Sequence, residues 1–403
     1  MSGSCSPCEE QDSHNTAWPS FPELCRAAAG RLPADGRLNA AGEWHFVCWE
    51  VPIDDPSHHD QLFVESPRAE RTALDETDVQ GAFKRVNSVW RNVIEEDGQF
   101  APEPNRYHLY VALACPWADG ALAALFMPPD CDRRGASKTK GLEDCIGYSV
   151  VHPTWQRSRP EDPQDQHHGW TFRQPRDAPL SNGLGHGSFE CDDALVPDSV
   201  NGAKFVRDIY EKAGDTGGKY STPLLWDKKQ NTIVNNESMD ILRMFNSKFN
   251  KWAKMPELDL FPASLEADCE AANAWIYPNI NNGVYRCGFA KSQEAYDIAA
   301  QDLAGALSKA EELLSKQRYV CGDTFTYMDL RLFMTLIRFD AVYVVYFKTN
   351  MGTIEMNFPN LLEYCKDQGC LSGAGHGKGH QHAAHQDALL HLTSRSEQVR
   401  SDP

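Results

Sequence analysis

An α/β domain followed by an all-α domain is the fold class that three observations predict. A strand-like apolar run beginning at Tyr107 reaches Ala114 and passes directly into Cys115-Pro116. Proline suits the first position of a helix, because its missing N–H would be unpaired there anyway. Two further apolar runs, Pro223-Leu-Leu-Trp226 and Thr232-Ile-Val-Asn235, are separated only by Asp227-Lys-Lys-Gln-Asn231, a connection short enough to demand an antiparallel hairpin. After Pro262 the pattern turns wholly helical and rich in Ala, Glu and Leu.

The 403 residues leave room for two domains and tails. Residues 1–80 read as an N-terminal extension with one short strand over Trp44–Val51. Its Cys5-Ser-Pro-Cys8 has the spacing of half a zinc site, but no second cysteine pair lies nearby. Residues 81–104 form a packing arm, whose Gly81–Ile94 segment mixes charge with large apolar groups. The α/β domain spans 105–250. A strand at 107–113 leads to a helix over Pro116–Met127, and a parallel strand follows at Ile146–His152. A polar, proline-broken loop runs from His152 to Gly169. The next helix, Gly202–Lys212, sets Phe205, Val206, Ile209 and Tyr210 on one face. The hairpin and a helix at Glu237–Phe249 complete the order β-α-β-α-β-β-α, which is that of the thioredoxin fold.

The all-helical domain spans 262–370, with helices at Ser264–Tyr277 and Gln293–Lys316. Thr326 and Asp329 form a capping arrangement ahead of a central helix bearing Leu330, Phe333, Met334, Ile337 and Ala341 at helical spacing. Residues 371–403 are a Gly/His-rich tail, expected to be disordered. Its His376, His380, His382 and His385 lack the cysteine or carboxylate cluster that would complete a site, so no metal is expected.

A net charge of −18 argues against general affinity for nucleic acid or an anionic membrane surface. No apolar run approaches the roughly 18 residues of a transmembrane helix. The 13 cysteines are odd in number and irregularly spaced, and no secretory leader is evident. Free thiols in a reducing cytoplasm are therefore expected; an organellar transit peptide would be less acidic than this N-terminus.

Three features converge on the first helix. Cys115 should sit at a strand-to-helix junction, near free N–H groups that favour a thiolate; the plainer reading is a buried structural cysteine. Thr222-Pro223 opens the third main strand, and a cis bond would turn the Thr222 backbone towards Cys115, where it could pair with an extended peptide. Asn236-Glu237-Ser238 opens the last helix. Its N–H groups and the Ser238 hydroxyl would hold a carboxylate, while Glu237 would accept from an ammonium group. Singly, these are an ordinary turn and an ordinary cap; in this order after Cys115 they reinforce one another. A ligand with an amino-acid head, a peptide-like middle and a central thiol satisfies all three, and glutathione is that ligand.

The chain resembles the glutathionyl-hydroquinone reductases, the Xi-class branch of the glutathione transferases. The resemblance is carried by Ala114-Cys-Pro-Trp-Ala118, Lys140-Gly-Leu-Glu-Asp144, Val150-Val-His-Pro153, Gly169-Trp-Thr-Phe172, Pro223-Leu-Leu-Trp-Asp-Lys-Lys229 and Thr232-Ile-Val-Asn-Asn-Glu-Ser238. Tyr285-Arg-Cys-Gly-Phe289, Asp329-Leu-Arg-Leu-Phe333, Arg338-Phe-Asp-Ala-Val-Tyr343 and Phe347-Lys348 extend it, so that it covers residues 80–365. It implies a thioredoxin-like domain with an all-α C-terminal domain, the glutathione transferase architecture, and a homodimer. It also implies that Cys115 takes glutathione from an aromatic glutathionyl-hydroquinone as a mixed disulfide, which a second glutathione resolves. Trp170, Thr222, Glu237 and Ser238 would hold glutathione, with Lys219 near the family's usual arginine. Tyr285 and Tyr343 would line the aromatic pocket and hydrogen-bond the departing phenol oxygen. A single cysteine suffices, in keeping with Ala118 where a dithiol enzyme has its second.

Two departures stand out. Asp119-Gly120 replaces the family's usual His-Arg, which should weaken thiolate stabilisation, and Pro128-Pro129 should stop the helix after about three turns. Beyond the Pro359-Asn360-Leu361 helix, the Gly/His tail replaces the family's last segment. A glutaredoxin-like deglutathionylase and a non-catalytic glutathione-binding module are the alternatives to the reductase.

Overall fold

The computed structural model describes residues 76–126, 140–181 and 187–368. The expected strand at 44–51, the Cys5/Cys8 pair, Pro128-Pro129 and the histidine-rich tail lie outside the described residues. Every described residue belongs to one unit, Glu65–Pro403.

The α/β part contains β1 (Tyr107–Val111), α1 (Pro116–Leu125), β2 (Gly147–Val150), β3 (Trp155–Arg157), β4 (His168–Trp170), α2 (Val206–Lys212), β5 (Leu224–Asp227), β6 (Thr232–Asn235) and α3 (Ser238–Ser247). Four strands form a mixed sheet ordered β2-β1-β5-β6. β1 pairs parallel with β2 and antiparallel with β5, and β5 with β6 forms the expected antiparallel hairpin. This is the thioredoxin-like arrangement the element order predicts.

Strand alternation decides which helix covers which face. Tyr107, Leu109 and Val111 join Ala118, Ala121 and Leu125 of α1 and Ile241 and Phe245 of α3 in one core. Tyr110 and Ala112 point the other way, against Val206, Ile209 and Tyr210 of α2 and Trp226 and Ile233 of the hairpin. Both faces are buried, which leaves the helix-bearing end of β1 as the exit for chemistry. α1 ends at Leu125, with Phe126 already extended at φ −95 and ψ 136.

Three expectations need correction. The span from His152 to Gly169 is not all loop: β3 and β4 pair antiparallel as a separate two-stranded sheet, with Trp155 opposite Trp170. The helix expected from Gly202 begins at Val206, because Asp208 folds back to accept the Phe205 N–H at 2.9 Å and closes the first turn there. The central helix of the second domain also breaks earlier than its spacing suggests, as described next.

The helical part runs through α4 (Glu266–Ile276), α5 (Gly283–Gly288), α6 (Gln293–Leu314), α7 (Tyr327–Leu336), α8 (Val344–Tyr346), α9 (Ile354–Asn357) and α10 (Pro359–Gln368). Wide π turns follow α4 at Tyr277–Asn281 and α7 at Phe339–Tyr343. The second turn shifts the helical phase. Ile337 and Ala341, expected on the buried stripe, are only half-buried, whereas Phe339 and Tyr343 face the core. Such turns are often found at functional sites, and here one precedes Tyr285 and the other ends on Tyr343.

The expected capping pair is present. Asp329 accepts from the Thr326 N–H at 2.9 Å and the Val320 N–H at 2.7 Å, and Thr326 Oγ1 accepts from the Met328 N–H at 3.3 Å. All of these groups are buried. Asp329→Ala would leave two backbone N–H groups without acceptors, so it should lower stability by about 1–3 kcal/mol in urea unfolding; an unchanged midpoint would show that water replaces the carboxylate.

Candidate active site

The site begins where β1 hands over to α1. Cys115 is the N-cap of α1, with Pro116 in the first turn, and its own N–H donates to Ala112 O at 2.9 Å. Its thiol is half-buried and donates to the Thr222 carbonyl oxygen at 3.5 Å. The Thr222–Pro223 bond is cis. The two sequence features separated by 107 positions therefore meet.

The electrostatics differ from the expectation for a helix N-cap. Burial pushes the Cys115 thiol above the ordinary cysteine value, and the Asp119 charge adds to that push. The Ala118 and Trp117 N–H groups act in the opposite sense and do not prevail. A sulfur removed from water loses more from desolvation of its anion than the helix end returns. Asp119 is not an open charge, however: it is 3% exposed and ion-paired with Arg338.

Beside Thr222 lies a cleft of about 220 Å³, which Lys219, Thr222, Glu237 and Ser238 all line. Glu237 is the N-cap of α3 and accepts from the Met239 N–H at 3.5 Å and from Ser238 Oγ at 3.4 Å. The arm reaches into the same place. Ser88 Oγ donates to Glu237 Oε2 at 3.2 Å, Lys219 is ion-paired with Glu76, and Trp90 Nε1 donates to Asp215 Oδ2 at 2.7 Å. The arm is held there by pairing with the edge of β6, through the Asn92 N–H to Val234 O and the Asn236 N–H to Trp90 O, both at 3.0 Å.

Trp170 is not brought into this cleft. It stands edge-on to Trp155 at 5.4 Å, half-buried against the apolar cluster that Cys115 also borders. Tyr285 and Tyr343 lie together, with ring centroids 6.1 Å apart, and each is electrostatically coupled to Cys115. Burial raises both phenols, Tyr343 to about 12 and Tyr285 well above its ordinary value, so both are protonated donors at neutral pH.

Three buried polar atoms nearby lack a hydrogen bond among the described residues: Arg85 Nη2, Trp117 Nε1 and Arg331 Nε. Buried polar atoms are nearly always satisfied, so a cluster of such exceptions marks a place shaped for a ligand. Trp117 and Arg331 were visible within the motifs carrying the resemblance, but nothing in their spacing announces a role. Arg85 and Ser88 come from the arm and were not singled out. No group of three or more His, Cys, Asp or Glu suited to a metal occurs among the described residues.

Residues 293–367 match the family model for the glutathione S-transferase C-terminal domain. Over 305 residues the chain is 36% identical to glutathionyl-hydroquinone reductase YqjG of Escherichia coli K12, covering 73% of this chain and 81% of that one. It is 37% identical over 282 residues to glutathionyl-hydroquinone reductase PcpF of Sphingobium chlorophenolicum, covering 70% and 76% respectively. The chain belongs to the glutathionyl-hydroquinone reductase family. Solved Xi-class transferases place the same fold beside it. That of Phanerochaete chrysosporium is 40% identical with a TM-score of 0.59, covering 72% of this chain and 82% of its own. The glutathione-bound YqjG structure is 34% identical with a TM-score of 0.58, covering 76% and 90%. A reductase of this family with Asp119-Gly120 after its Cys-Pro-Trp-Ala motif thus keeps the α1 helix and ties it to Arg338.

Proposed function

We propose that this protein reduces glutathionyl-hydroquinones to hydroquinones at the expense of glutathione. The observation that carries the reading is the meeting of the Cys115 thiol with the Thr222 backbone, beside a cleft lined by Lys219, Glu237 and Ser238. The glutathionyl cysteine would run along Thr222, its ammonium would meet Glu237, and a carboxylate would meet Ser238 at the start of α3. Lys219 would take the other carboxylate, displacing Glu76 from it. Trp170 stays in this proposal as a glutathione contact, reached from the apolar cluster that it and Cys115 both border.

The Cys115 thiolate attacks the thioether sulfur. A sulfur–sulfur bond forms as the ring carbon–sulfur bond breaks, and the ring takes the electron pair and then a proton. Tyr285 and Tyr343 would hydrogen-bond the phenol oxygen as charge develops on it, as neutral phenols suit. A second glutathione thiolate attacks the glutathionyl sulfur of the mixed disulfide, releasing oxidised glutathione and restoring Cys115. A cytoplasmic location belongs to the same proposal, resting on the odd number of cysteines and their irregular spacing. A homodimer completes the proposal, with sedimentation velocity as its check.

The deciding experiment supplies the protein with glutathione and either an aromatic glutathione thioether or a simple glutathione mixed disulfide. Faster release of hydroquinone from the thioether is expected. Turnover of the mixed disulfide alone would make the protein a deglutathionylase, and turnover of neither would leave a binding module.

A further inference from the structure

Among the described residues, two guanidinium groups at the cleft have no anionic partner. Arg85, from the arm, donates through Nε to Asn282 Oδ1 at 3.1 Å, and its guanidinium carbon lies 5.0 Å from the Trp117 ring centroid and 4.7 Å from that of Tyr285. Arg331, on α7, donates through Nη1 to Asn273 Oδ1 at 2.9 Å and lies over Tyr277 at 4.3 Å and Trp117 at 5.6 Å. Both acceptors are neutral amides. Arg85 Nη2 and Arg331 Nε are buried without an acceptor among the described residues, and both residues line the cleft that holds Thr222 and Glu237. Glu237 acts on Arg331 electrostatically, but its oxygens are taken by Ser88, Ser238 and the Met239 N–H.

Gathering two like charges around one indole in a half-buried cleft is unfavourable unless something offsets it. The chain has 57 acidic residues against 39 basic ones, so carboxylates for this purpose are not scarce. Cation–π contact with the rings holds each guanidinium in place while Arg85 Nη2 and Arg331 Nε stay without an acceptor among the described residues, and N–H groups of that kind can receive an oxyanion. We propose that Arg85 and Arg331, sharing the Trp117 ring, form an oxyanion subsite that holds a carboxylate or phenolate of the thioether substrate. The proposal rests on the glutathione-thioether reading and adds the chemical class the cleft selects. The oxyanion belongs either to an acidic group on the aromatic ring or to one of the two glutathione carboxylates, which the arginines would then share with Ser238 or Lys219.

The test is equilibrium binding, followed by tryptophan fluorescence, of S-benzylglutathione and S-(4-carboxybenzyl)glutathione to the wild type and to Arg85→Gln, Arg85→Lys and Arg331→Lys. Because binding is read without catalysis, it decides the subsite even if no thioether is turned over and the reductase reading fails. If the oxyanion is on the ring, wild type should favour the carboxylated ligand by about 10- to 100-fold, the range of a hydrogen bond to a charged group; if it is on glutathione, wild type should bind the two ligands about equally. A fall of that ratio towards one in Arg85→Gln, with Arg331→Lys between, assigns the oxyanion to the ring. An equal loss for both ligands in Arg85→Gln that Arg85→Lys recovers assigns it to glutathione. Affinities unchanged in Arg85→Gln, or an equal loss that Arg85→Lys does not recover, would overturn the subsite.

Discussion

Cys115→Ser should lower the turnover of a glutathionyl-hydroquinone by at least about a thousandfold, because a serine hydroxyl at neutral pH is no nucleophile towards sulfur. The substitution is a fair probe of chemistry rather than shape. A hydroxyl can still donate to the Thr222 carbonyl that the thiol faces at 3.5 Å, and Pro116 and the α1 N-terminus are unaffected. Wild type mixed with substrate in the absence of free glutathione should carry one glutathione on Cys115, seen by mass spectrometry, and the variant none. The pH profile of single-turnover attack follows from the same site. Burial and Asp119 raise the thiol's pKa, so the reactive thiolate is scarce at low pH and the rate should climb as pH rises through the raised value. A variant that retains turnover, or a glutathione adduct found on another cysteine, would remove Cys115 from the mechanism.

Much of this site was legible because its signals are local. Cys115-Pro116, Thr222-Pro223 and Glu237-Ser238 each sit at a strand or helix boundary, and boundary chemistry leaves its mark in two or three residues. The sheet was legible for a similar reason: β1, β5 and β6 each carry buried apolar residues in a short run, with the β5–β6 pair joined by a tight connection. What stayed hidden depends on distant pairs. Lys219 and Glu76 are 143 positions apart, and Ser88 and Glu237 are 149 apart, so neither link has a periodic trace. β3 is three residues long and ends in arginine, too short to show alternation. The phase shift at Phe339–Tyr343 is also invisible to helical spacing, which assumes that no turn widens. The thiol's raised pKa is a matter of how much water reaches it, and that depends on packing from both halves of the fold.

The largest effect on stability is expected at Arg338. This side chain is 1% exposed, and it ion-pairs with Asp119 while donating to Met334 O at 2.8 Å and Leu113 O at 3.0 Å. Arg338→Met would leave the Asp119 carboxylate buried without its cation, and breaking such a pair from one side costs about 3–5 kcal/mol. Urea unfolding should show that loss. The double variant Asp119→Leu/Arg338→Met should recover most of it, because removing both charges also removes the unfavourable desolvation. Activity should separate the two variants differently. Leu113 lies two residues before Cys115, so losing the Arg338 bond to its carbonyl loosens the turn that aims the thiol. Turnover by the double variant should therefore remain below wild type even where its stability matches. A single variant as stable as wild type would mean that the Asp119 carboxylate reaches water. If instead the pair behaves as expected, Asp119 changes meaning. Beside the buried Arg338, a histidine and arginine at 119–120 would add positive charge to positive, whereas the carboxylate closes the pair and fixes α1 against the helical domain.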